Sequence, residues 1–92
     1  MYDRDSALKS MDATRSVLER LPEAACHDLY VYCYSENPKI QFFGDAFAAV
    51  CGVFPFVEPT RAAHDGKYYA EEFYVDGVRL FHLLETEDEK WA

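Results

Sequence analysis

The dipeptide Asp76-Gly77 constrains this chain more than any other feature. It lies between Val75 and Val78, in a run where apolar and polar side chains alternate. A two-residue type I′ turn needs positive φ at both centre positions, which Asp-Gly accepts, and its twist matches that of the strands it joins. Lys67–Glu85 is therefore predicted to be a β-hairpin, and counting outward from the turn gives its register. Val75 faces Val78, Phe73 faces Leu80, Glu71 faces His82 and Tyr69 faces Leu84. Tyr68, Ala70, Glu72, Tyr74, Arg79, Phe81, Leu83 and Glu85 share the other side, because successive side chains of a strand point to opposite faces.

A second hairpin is expected upstream. His27–Tyr34 alternates, with Leu29, Val31 and Cys33 on one face and Tyr30, Tyr32 and Tyr34 on the other. Ser35-Glu36-Asn37-Pro38 is a turn cluster, and Lys39–Phe43 reads as the returning strand. With Tyr34 opposite Lys39, Cys33 pairs with Ile40 and Val31 with Phe42, so both strands agree on their apolar face. Tyr30, Tyr32, Tyr34, Gln41 and Phe43 then share the opposite one.

Two helices complete the pattern. Asp5–Leu21 carries a stripe of Leu8, Met11, Leu18 and Leu21, with Ala7 and Val17 beside it, and Pro22 ends it. Lys9, Arg15, Glu19 and Arg20 leave its other side in water. Asp45 is placed to cap a short helix from Ala46 to Cys51, with Gly52 near its stop. Thr60–Gly66 reads as loop, although part of 56–62 can be extended. The predicted fold is α+β: a four-stranded antiparallel sheet with two helices on one face, in the order α-β-β-α-β-β. Residues 1–92 form one domain, with the acidic tail 86–92 frayed.

Composition narrows the function classes. Ninety-two residues bury only about 60–65% of the surface they expose when unfolded, but half of them are hydrophobic and 16% aromatic, enough for a core. Seventeen acids against nine bases give a net charge of -8. That charge opposes direct binding to nucleic acid, and favours solubility and basic partners. Three cysteines without CxxC spacing point to reduced thiols, and the charged opening Met1-Tyr2-Asp3-Arg4-Asp5 is unlike a secretion signal. No apolar run approaches the ~20 residues of a membrane span. Cytoplasmic localisation, no membrane and no cofactor are the expectations.

Placing both helices on one side leaves the other side of the sheet open. Alternation puts Tyr30, Tyr32, Tyr34, Phe43, Tyr68, Tyr74 and Phe81 there, interleaved with Lys39, Gln41, Glu72, Arg79 and Glu85. Exposed aromatic area of this extent marks contact sites, and tyrosine adds a hydrogen-bonding tip to a rigid ring. Tyr30, Tyr32, Tyr34, Glu72, Tyr74, Arg79 and Phe81 are the candidate partner-binding residues. The alternative is that Phe54–Val57 or a loop covers this face and makes it core.

Other chemistries fit less well. An RNA-stacking platform needs more cations than Lys39 and Arg79. Cys26, His27, Cys33, Cys51, His64 and His82 form no close ligand pair, so no metal site is expected. Glu71 opposite His82 is the nearest approach to acid–base machinery, but it lacks a nucleophile and a second carboxylate, and no enzyme is predicted. The dispersed acids, gathered on one ridge, would imitate a phosphate backbone and occupy a basic channel.

The stretch HDLYVYCYSENPKIQFFGDAFAAVCGVF, followed by HDGKYYAEEFYVDGVRLFHLLE, resembles in size, acidity and strand–strand–helix–strand–strand layout the small anti-CRISPR proteins carried by phages and other mobile elements. The resemblance implies a stoichiometric inhibitor whose partner is a host protein, such as a basic nucleic-acid-binding CRISPR-Cas effector. It transfers no functional residue to a position in this chain. A homodimer built on the same aromatic face, or an acidic nucleic-acid mimic, are the alternatives.

Overall fold

A computed structural model describes residues 4–32, 37–63 and 66–85. The elements run α1 (Arg4–Leu18), a short 3-10 helix (Glu23–His27), β1 (Leu29–Tyr32), β2 (Lys39–Phe42), α2 (Ala46–Val53), β3 (Thr60–Ala63), β4 (Tyr68–Val75) and β5 (Val78–Glu85). The class is α+β as expected, but the sheet has five strands in the order β1-β2-β5-β4-β3. It is also mixed. β2 and β5 run parallel, Ile40 beside Leu80, while the other three pairings are antiparallel.

The β4–β5 hairpin has the predicted register throughout, from Val75 with Val78 to Tyr69 with Leu84. Asp76 at φ 51° and Gly77 at φ 82° supply the left-handed pair that a type I′ turn requires. Arg20 Nη1 donates to Asp76 Oδ2 at 2.7 Å, which ties the turn to the end of the first helical segment.

Elsewhere the structure corrects the expectations. The four-stranded antiparallel sheet gains a fifth strand because Thr60–Ala63 pairs with β4, Ala62 beside Ala70. Those four residues hold only one strong β-former, so pairing with a long neighbour overrides weak local preference. In the first hairpin Val31 pairs with Ile40 and Tyr32 with Lys39, two residues from the expected register. A shift of two keeps every side chain on its face, whereas a shift of one would have exchanged the faces. His27 belongs to the 3-10 helix and not to a strand. Asp45 precedes α2 without a side-chain capping bond, and Gly52 lies inside that helix. Cys33, Tyr34, His64 and the tail 86–92 lie outside the described residues.

α1 packs by a different stripe from the one its leucines suggest. Ser10, Thr14 and Val17 are buried, while Leu8 and Met11 are exposed. A buried hydroxyl is tolerated here because Thr14 Oγ1 donates to the Ser10 carbonyl at 2.7 Å within the helix. The helix stops at Leu18, before Pro22, through tightened bonds from Arg20 N to Val17 O and Leu21 N to Leu18 O.

One face of the sheet receives the helices. Val17 of α1, Ala25, and Phe47 and Val50 of α2 join Ile40, Phe42, Phe73, Val75, Val78 and Leu80 in one core cluster. At about 0.8 kcal/mol per buried methylene this cluster is the main favourable term in folding. Among the described residues no helix is long and apolar enough to cross a membrane.

Candidate partner-binding face

The registers place the second face of the sheet in rows that cross the strands. One row runs Tyr32, Lys39, Arg79, Tyr74, from β1 through β2 and β5 to β4. The next runs Tyr30, Gln41, Phe81, Glu72, and ends at Thr60 on β3. None of these residues belongs to the core cluster that joins the helices to the sheet.

Within the rows the side chains are already paired. Arg79 Nη2 and Nε donate to Glu72 Oε1 at 2.6 and 3.1 Å, and the guanidinium lies 4.2 Å from the centroid of the Phe81 ring. Tyr32 OH donates to Gln41 Oε1 at 3.1 Å, and Lys39 Nζ stands 5.3 Å from the Tyr32 ring. Tyr30 and Tyr32 rings contact at 4.7 Å. Charge-assisted bonds and ring contacts of this kind hold long side chains in one arrangement before anything binds.

Two tyrosines rise from this prepared floor. Tyr30 is 56% exposed and Tyr74 60%. They stand on β1 and β4, with two strands between them, so about 14 Å of sheet separates them. Tyr32 is partly buried, and the Glu72 and Arg79 side chains are mostly buried. Phe81, expected at the surface as a contact residue, is 3% exposed. It sits on the central strand between Gln41 and Glu72, with the Arg79 guanidinium over its ring. Phe43 is exposed just beyond the end of β2, and Tyr34 is outside the described residues.

The strand acids facing this side are Glu72 and Glu85, against the cations Lys39 and Arg79. Asp5 and Asp12 are carried by α1, Glu19 by the turn that follows it, and Asp76 by the hairpin turn. Alternation places Lys39 and Gln41 on this face, as the registers do. The partnership of β2 with β5, which brings them into the rows, leaves no local signature in either strand.

The helix side holds a second polar group. His82 Nε2 lies 2.7 Å from Glu71 Oε1, and Phe47 stacks on the imidazole at 4.0 Å with the ring planes 9° apart. Arg61 Nε donates to the other Glu71 oxygen at 3.4 Å. The expected Glu71–His82 pair is therefore real, with Arg61 of the added strand as a third member. Burial, and then the charge of Glu71, push the Cys51 thiol above its ordinary value. A thiol raised in this way stays protonated near neutrality, the reverse of what a nucleophilic cysteine needs. Among the described residues no three His, Cys, Asp or Glu side chains converge to hold a metal ion. Comparison with known proteins returned no match: no family model, no curated protein and no solved structure.

Proposed function

We propose that this chain is a non-enzymatic protein-binding module that grips its partner with the sheet face opposite the helices. The observation that carries the reading is the exposure of Tyr30 and Tyr74 above a floor already locked by Glu72–Arg79, Arg79–Phe81 and Tyr32–Gln41. Interfaces are enriched in tyrosine and arginine; tyrosine buries much area at little entropic cost, and Arg79 is already ordered by Glu72. In its most specific form the module is a stoichiometric inhibitor that occludes a protein effector. That role is the one implied by the chain's resemblance in size and acidity to anti-CRISPR proteins.

The test is capture of a partner from the native host by the wild-type chain and by a Tyr30→Ala/Tyr74→Ala double variant. Loss of one stoichiometric partner in the double variant, with Phe56→Ala on the helix side unaffected and all variants folded, supports the reading. Retention of that partner by the double variant removes its basis. Sedimentation equilibrium separates the homodimer alternative: self-association lost in the double variant assigns the face to a second copy of the chain.

A further inference from the structure

Where the Tyr32–Lys39–Arg79–Tyr74 row meets the end of the sheet, a shallow depression is lined by Asn37, Lys39, Glu72, Tyr74 and Arg79. Its charges are unequal in what they already hold. Glu72 is committed to Arg79 at 2.6 Å, and both side chains are mostly buried. Lys39 has a ring beneath it and no carboxylate: the cations in ion pairs among the described residues are Arg15, Arg20, Arg61, Lys67, Arg79 and His82. In a chain with a net charge of -8, Lys39 is thus a strand lysine with no carboxylate partner among the described residues, beside a second cation in a concavity on the aromatic face.

Resting on the partner-binding reading above, we infer that this depression seats a carboxylate of the protein partner, an Asp or Glu side chain. The carboxylate meets the Lys39 ammonium as its ion pair, with the exposed phenol of Tyr74 at its flank. Arg79 adds positive potential but keeps Glu72 as its hydrogen-bonding acceptor. Charge complementarity selects the occupant. A basic side chain would meet Lys39 and Arg79 at close range, whereas an acidic one gains a partly desolvated, charge-assisted bond. The long-range attraction of an acidic chain for basic surfaces and the local preference of this seat are separate effects, acting at different distances.

A matched pair of probes tests the seat without the partner: N-acetylglutamate α-amide and its neutral isostere N-acetylglutamine α-amide, titrated at constant ionic strength while backbone amide shifts are followed. The expected result is saturable shifts at Lys39, Arg79 and Tyr74 with the glutamate probe alone. Lys39→Met should weaken them about tenfold, and Lys39→Arg should restore them. Equal shifts from both probes, no saturation, or survival of the response in Lys39→Met overturns the inference. Inorganic phosphate displacing the glutamate probe at equal concentration also overturns it, by making the seat a phosphate site. Failure here is separable from failure of the face as a whole. Partner capture kept by Lys39→Met but lost in the Tyr30→Ala/Tyr74→Ala variant sinks the carboxylate seat and leaves the contact face standing.

Discussion

Phe81 and Tyr74 look equivalent on paper, two aromatic residues on the same side of one hairpin, yet their surroundings make them opposites. Phe81 is 3% exposed on the central strand, and Tyr74 is 60% exposed on a strand flanked by the short β3. Phe81→Ala should therefore cost about 3–5 kcal/mol of stability, as large-to-small core changes do. Tyr74→Ala should stay within about 1 kcal/mol. Chemical denaturation of the two variants checks this, and equal losses would mean that Tyr74 too is structural. Cys51 gives a pH dependence. Its thiol is raised in the folded chain, first by burial and then by Glu71, so the thiol stabilises the fold fully below its unfolded value of 9.0. That contribution is lost as pH rises through the higher folded value. Stability should thus fall across the alkaline range more steeply in the wild type than in Cys51→Ala. Parallel profiles for the two would show that Cys51 does not titrate against the fold.

Among the elements, the β4–β5 hairpin was wholly legible because its information is local. Asp76-Gly77 determines the turn, and the turn determines every pair down to Tyr69 with Leu84. Gly77 at φ 82° has open space around a would-be Cβ, so Gly77→Ala acts through backbone strain alone. A loss of about 1 kcal/mol is expected in thermal denaturation. No loss would show that the turn relaxes to another type. The first hairpin was legible only in part, since its longer connection leaves the register free to move by two residues while the faces stay right. β3 was legible only as a stretch that can be extended, because Arg61, Ala62 and Ala63 have little strand preference of their own. The α1 stripe is not legible because Thr14, polar on any scale, satisfies its hydroxyl on the Ser10 carbonyl inside the helix, and Ser10 and Thr14 are buried where Leu8 and Met11 are not.

At the scale of the molecule, long-range pairing decides what the candidate site looks like. The parallel partnership of β2 with β5 requires a long crossover, supplied here by α2, β3 and β4, and alternation within either strand is the same for both directions. That partnership sets Lys39 beside Arg79 and Gln41 beside Phe81, and so turns two separate hairpin faces into one surface. Open-face membership of Tyr30, Tyr32, Tyr74 and Arg79 was legible by alternation. The burial of Phe81 needed the assembled sheet.

The central claim is that the partner contacts the sheet face opposite the helices. Hydroxyl-radical footprinting of the free chain and of its complex, resolved by residue, tests it most directly. Both sides of the molecule carry reporters: Tyr30 and Tyr74 on the sheet, and Met11 and the 99% exposed Phe56 on the helix side. Protection of Tyr30 and Tyr74 in the complex, with Met11 and Phe56 labelled as in the free chain, is the predicted result. Protection of Met11 and Phe56, with both tyrosines still labelled, would contradict it.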